Sequence, residues 1–163
     1  MAADRKMLEA RLGALGIATT TVEHEAVFTV EQSAGLRASL PGAHSKSLFL
    51  ADGDGHLVLV VARDETRVDL KALAKRLGVG RLSFGKPERL EAVLGVRPGS
   101  VTPFTLINAS AADVTVVVDQ AIMTFAEVNC HPLVNTATTR LATSDLIRFI
   151  KACGHEPLIV PLA

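Results

Sequence analysis

The sequence predicts an α+β fold with a mostly antiparallel or mixed sheet flanked by helices. Strand candidates over residues 104–140 follow one another without helical crossovers, and such neighbours pair antiparallel. Segments with apolar residues at helical spacing, several closed by glycine, lie on either side of them. With 163 residues, 48% apolar and 21% charged, the chain is long enough to bury a core of its own, so one domain over 1–163 is expected.

Leu8, Leu12 and Leu15 recur at helical spacing before Gly16, which predicts a helix over 4–15. Thr20 to Glu25 reads as a short strand, and Thr29-Val-Glu-Gln32 is a capping box that opens a helix to about Ala38. Pro41-Gly42 marks a loop. The apolar runs Leu48–Leu50 and Leu57–Val61, joined through Gly53-Asp54-Gly55, predict a β-hairpin over 46–62. Val68 to Leu77 is the next helix, with basic residues in its last turn and Gly78 after it. A brief strand at 82–84, a helix over 88–94 and a Gly/Pro-rich loop over 95–103 follow. Strands are expected at 104–108, 114–119, 125–129 and 135–140, then a helix over 145–152 capped by Thr143 or Ser144, then a terminal strand at 158–160.

Charge and composition exclude several classes. No apolar run approaches bilayer length, and the charged N-terminus does not read as a secretory signal. Cys130 and Cys153 lack CxxC spacing, so reduced thiols in a cytoplasmic protein are expected. Net charge is zero, yet residues 63–97 hold nine basic against five acidic residues and each flank carries −2. That excess reads as solvated helix faces or as a local landing site for a phosphate backbone. Without Trp or Tyr and with six Phe, base stacking is not expected to be the main mode of nucleic-acid binding.

The five histidines are scattered, none at zincin spacing, so no metal site and no cofactor are predicted. There is no GxSxG elbow, and Cys130 and His131 as strand neighbours point to opposite faces, which argues against a thiol dyad. Three features remain. Lys46 at the mouth of the hairpin is either a solvated strand end or an anion-gripping group at a pocket. Gly99-Ser-Val-Thr-Pro103 is a plain connection or a loop whose backbone a ligand can approach closely. His131-Pro132 holds a histidine in extended geometry, at a pocket or on the surface.

Taken together, VEHEAVFTVEQS (22–33), KSLFLADGDGHLVLVV (46–61), LSFGKPERLEAVLGVRPGSVTPFTLIN (82–108), VVVD (116–119) and HPLVNTATTRLATSDLIRFIKACGHEP (131–157) resemble the YbaK and prolyl-tRNA synthetase editing-domain superfamily. The likeness is greatest to its freestanding alanyl-tRNA(Pro) deacylases. It covers nearly the whole chain, and the PGSVTPF and HPLVNTATT blocks are its specific parts. The resemblance implies a barrel-like sheet and hydrolysis, in trans, of the ester joining a wrong amino acid to tRNA(Pro). A site built for proline cannot exclude the smaller alanine by clash, because a missing methylene is worth only about 1–3 kcal/mol. A second pocket sized for alanine removes the error.

By position, the resemblance makes Lys46 the functional lysine that holds the aminoacylated 3′ end. It makes Gly99, Ser100, Val101, Thr102 and Pro103 the pocket-lining loop and His131 the pocket histidine. Phe125 and Cys130 are the proposed wall, and Arg76, Arg81 and Lys86 the proposed contacts to the acceptor stem. The water would be positioned largely by the substrate and backbone. Ser47 replaces the asparagine usual in KNLFL, which opens the substrate to other small residues such as Cys, Ser or Thr. The expected partners are mischarged tRNA(Pro) and prolyl-tRNA synthetase, with no membrane. A non-catalytic aminoacyl-tRNA-binding module and a domain that docks on a synthetase are the rival readings.

Overall fold

A computed structural model of the chain describes residues 2–26, 35 and 38–162. The capping box at Thr29 falls outside the described residues. Four helices, α1 (Arg5–Ala14), α2 (Leu70–Leu77), α3 (Pro87–Leu94) and α4 (Thr143–Ala152), accompany eight strands among the described residues. The strands are β1 (Thr19–Glu23), β2 (Ala43–Ala51), β3 (Leu57–Arg63), β4 (Ser83–Phe84), β5 (Thr115–Asp119), β6 (Glu127–Cys130), β7 (Ala137–Ala142) and β8 (Leu158–Val160). They form one mixed sheet in the order β1-β7-β6-β2-β3-β5-β8, with β4 joined to β2 off that path. No helix of the described residues is long and apolar enough to cross a membrane.

Antiparallel ladders join β2 to β3 and to β4, and β7 to β6 and to β1. Three parallel ladders, β2–β6, β3–β5 and β5–β8, bring in strands from far along the chain. Alternation along the strands builds two cores. Ala43, Phe49, Leu59, Val61, Val116, Val118, Val128 and Cys130 pack with Leu8 and Leu12 of α1, Leu90 and Leu94 of α3, and Leu146, Phe149 and Ile150 of α4. Phe104 meets Phe149 edge to face, with centroids 5.3 Å apart. On the opposite face Leu50, Val58, Val60, Ala62 and Val117 pack under Leu73 and Ala74 of α2.

Residues 104–108, expected as a strand, form a 3₁₀ turn over Pro103–Ile107 instead. The signal was present one residue earlier. The Thr102 hydroxyl accepts the Phe104 N–H, the Thr105 hydroxyl donates to the Thr102 carbonyl at 2.7 Å, and Pro103 has no N–H to lose. Buried Asn108 then donates to the Leu94 carbonyl at the end of α3 and accepts the Ala3 N–H. The final helix begins at Thr143, but its hydroxyl caps nothing: it donates to the Phe125 carbonyl at 2.8 Å. At the sheet's end, prolines 157 and 161 bracket β8 and remove N–H groups beside that edge.

Gly42 sets where β2 starts. Its φ is +93°, and an added Cβ would lie 2.9 Å from the Glu127 carbonyl oxygen of β6. Gly42→Ala is expected to cost about 1–3 kcal/mol and to lower Tm by roughly 2–10 °C. Thermal unfolding followed by circular dichroism checks it, and an unchanged Tm contradicts this packing.

Candidate functional site

The site follows from an interruption in the sheet. Along one edge β2 pairs with β3 from Ser45 to Ala51. Along its other edge it pairs with β6 only at Ala43 and His44, and with β4 only at Leu50 and Ala51. Between these two partners the strand edge is uncovered. The His44 carbonyl accepts from Asp64 and the Asp52 N–H donates to His56, so even-numbered residues turn their backbone toward β3. The Ala43 carbonyl accepts the Asn129 amide and the Phe49 carbonyl the Gly85 N–H, so odd-numbered residues face the other way. Ser47 therefore presents its N–H and C=O to the gap, with no partner for either among the described residues.

A cavity of about 220 Å³ opens there, lined by Ser45, Lys46, Ser47, Gly99, Val101, Thr102 and His131. The β2–β6 register explains the meeting of lysine and histidine. His44 pairs with Asn129, so the next residues on the same sheet face are Lys46 and His131, and they would be partners if the ladder continued. The ladder stops where β6 ends at Cys130, and the chain beyond it turns at Leu133, whose φ is 68°. Ser45 seals the junction from the other face. Its hydroxyl donates to the Asn129 carbonyl at 2.7 Å and reaches Cys130 Sγ at 3.4 Å.

Lys46 is half-buried and makes no ion pair among the described residues, so its ammonium is available to an anion. His131 is also half-buried, and its Nδ1 lies 3.3 Å from the Ala137 carbonyl, which accepts. That contact assigns the proton to Nδ1 and leaves Nε2 as an acceptor. Burial lowers the ring's pKa below 6.5. Charge on His24 lowers it further, while the Ala137 carbonyl partly offsets both. His24 itself bonds Thr138 Oγ1 at 2.8 Å and the Glu25 carbonyl.

Of the residues expected at the site, Lys46, Ser47, Gly99, Val101, Thr102 and His131 come together. Ser100 closes a turn onto the Arg97 carbonyl, and Pro103 is buried in the 3₁₀ turn. Cys130 lies on the core face, its thiol pushed up to about 12 by burial, which leaves it a weak nucleophile. Phe125 lines a separate hollow, with the Arg63 guanidinium 5.1 Å from its ring centre. Arg81 and Lys86 are exposed on either side of β4, whereas Arg76 lines a hollow between α2 and Leu162. Ser45 and His24 were not singled out from the sequence. The alternation in Ser-Lys-Ser could have flagged Ser45, since it puts both serines on the face opposite the lysine. Asp52, Asp54 and His56 are close enough together to hold a cation, but they sit at the β2–β3 turn, beyond the other end of β2 from Lys46.

Residues 24–149 match the aminoacyl-tRNA editing domain, a span that contains every residue lining the cavity. The chain belongs to that family. Among its relatives, prolyl-tRNA synthetase associated domain-containing protein 1 of Mus musculus is 40% identical over 161 residues, covering 96% of this chain and 95% of that protein. Prolyl-tRNA editing protein ProX of Acetoanaerobium sticklandii is 36% identical over 147 residues, covering 90% of each. A crystal structure described as a proposed trans-editing enzyme for prolyl tRNA synthetase superposes with a TM-score of 0.75 at 20% identity, over 99% of this chain and 98% of that one. At that identity the likeness supports the fold.

Titration of His131 by NMR is expected to give a midpoint below pH 6.5, with Nε2 unprotonated at pH 7. A midpoint at or above 6.5 contradicts the burial described.

Proposed function

We propose that this member of the editing family is a deacylase acting in trans, and that its best substrate is alanyl-tRNA(Pro). The observation that carries the reading is the convergence of Lys46, Ser47, Gly99, Val101, Thr102 and His131 on one cavity. ProX, named a prolyl-tRNA editing protein, supports the choice of tRNA.

In the reaction a water molecule adds to the ester carbonyl. The bond from that carbon to the ribose oxygen then breaks, the ribose oxygen takes a proton, and alanine leaves. Lys46 contributes positive charge where the carbonyl oxygen becomes negative or beside the adjoining phosphate, and such preorganised charge is worth about 10²–10³ in rate. The unpaired N–H and C=O of Ser47 fit the polar atoms of an aminoacyl group, as a strand edge fits a peptide. Neutral His131 offers Nε2 to a donor on the substrate and so fixes its orientation. Gly99, with φ of 94°, lets the opposite wall approach without a side chain. The water is oriented by the substrate's own 2′-hydroxyl and by backbone groups, so positioning supplies much of the acceleration.

Selection by size follows from the walls. Thr102 is buried and fixed by its bonds to Phe104 and Thr105, so the cavity does not widen easily around a ring such as proline. Ser47 is shorter than the family's usual asparagine and leaves room beside the aminoacyl group. Arg81 and Lys86, with Arg76 farther along α2, form the phosphate-contacting surface of this proposal. The working partners would be mischarged tRNA(Pro) and prolyl-tRNA synthetase, in the cytoplasm.

Deacylation of tRNAs charged with Ala, Cys, Ser, Thr and Pro is expected to be fastest for alanine and negligible for proline. Equal rates across the panel reject the size limit. Lys46→Ala is expected to lose about 100-fold in kcat/KM with Tm unchanged, and a wild-type rate would reject its role. Replacing Arg76, Arg81 and Lys86 together with alanine should weaken tRNA binding and flatten its dependence on salt. An unchanged salt slope would show that the phosphates are held elsewhere.

A further inference from the structure

Phe84 is 65% exposed, an unusual place for a phenyl ring. Its exposure does not come from a loose loop. β4 is pinned by the pairs Leu50–Phe84 and Ala51–Ser83 and by the Gly85 N–H donating to the Phe49 carbonyl at 2.9 Å. Gly85 lies so close over the Phe49 ring that an added Cβ would fall 2.4 Å from it, which fixes the backbone next to Phe84. A hollow of about 380 Å³ opens beside the ring, lined also by Gly53, Lys86, Glu88 and Arg89. Asp52, at its edge, is already spent on the N–H groups of Asp54, His56 and Gly80 and on the His56 ring. Arg81, Lys86 and Arg89 are all exposed around this strand, against Glu88 and Asp54.

Register relates this feature to the cavity. Phe84 pairs with Leu50, and Leu50 lies four residues from Lys46 on the same face of β2. At about 3.3 Å per residue and about 5 Å between strands, the two Cα atoms are roughly 14 Å apart. About four stacked nucleotides cover that distance at about 3.4 Å each. The end of a tRNA is an unpaired segment of that order.

We infer that Phe84 is a stacking platform for a base in the unpaired 3′ segment of the tRNA, with Lys86 and Arg89 facing its phosphates. The inference rests on the editing reading above and extends it outward from the cavity. A phenyl face on a rigid strand, with cations beside it, suits a nucleotide, because every base has a face to stack and a phosphate next to it. Sequence-tolerant stacking of this kind places the segment and leaves base identity unread.

The test is binding of a short single-stranded RNA ending in CCA to wild type, Phe84→Ala and Phe84→Trp, by fluorescence anisotropy. Phe84→Ala is expected to weaken binding about tenfold with an unchanged salt slope, and Phe84→Trp to restore it. On alanyl-tRNA(Pro), Phe84→Ala should raise KM with kcat preserved, and hydrolysis of alanyl-adenosine, which lacks the upstream nucleotides, should not change. RNA binding within twofold of wild type overturns the inference. So does an equal loss on alanyl-tRNA and alanyl-adenosine, which would mean a structural role. A change in self-association by light scattering, with RNA binding intact, would assign the ring to a protein contact and also overturn it. Phe84-dependent RNA binding by a wild-type protein that hydrolyses no alanyl-tRNA supports the platform and rejects the editing reading alone.

Discussion

Everything at the candidate site depends on a break in hydrogen bonding along one edge of β2. Backbone donors and acceptors of a sheet are ordinarily satisfied by the next strand. Here β6 and β4 each take one end of that edge and leave its middle to whatever enters. The break follows from the path of the chain: β6 ends at Cys130, and Leu133 then turns through a left-handed conformation. Lys46 and His131 face the same cavity because they are the first pair the ladder fails to make.

This arrangement also explains how a site without a dense set of charged groups is held in place. Lys46 belongs to a strand fully paired on its other edge, and Thr102 is locked into the 3₁₀ turn beneath the core. His131 is tied by its own ring to Ala137 at the start of β7. Positions set by backbone pairing lose little order when a ligand arrives, which favours precise placement over strong individual contacts.

The local elements were legible in the sequence because their signals are local. Gly53-Asp54-Gly55 between two apolar runs marks the β2–β3 hairpin, and Asp69 and Gly78 bracket α2 as cap and stop. Residues 104–108 read as a strand on their apolar run, but the Thr-Pro step before them opens a 3₁₀ turn. The parallel ladders were not legible, since β2–β6 and β5–β8 join residues far apart in sequence and no composition cue states their register. At the candidate site, the residues that line the cavity came from motifs recognised as a set. The gap that makes them a site did not, because it is a property of three strands at once. The contact of Ser45 with Asn129 is illegible for the same reason, since the two lie 84 residues apart.

The prolines around β8 bear on what such a gap can receive. An unprotected outer strand invites any extended chain to add itself, and at the β8 end of the sheet the outer strand is flanked by residues that lack the necessary hydrogen. The opening on β2, by contrast, is bounded at both ends within the sheet, and a full-length strand would collide with β6 or β4 before it could align. Length alone thus discriminates. A guest bearing two or three polar atoms would fit the opening, and a longer extended chain would not.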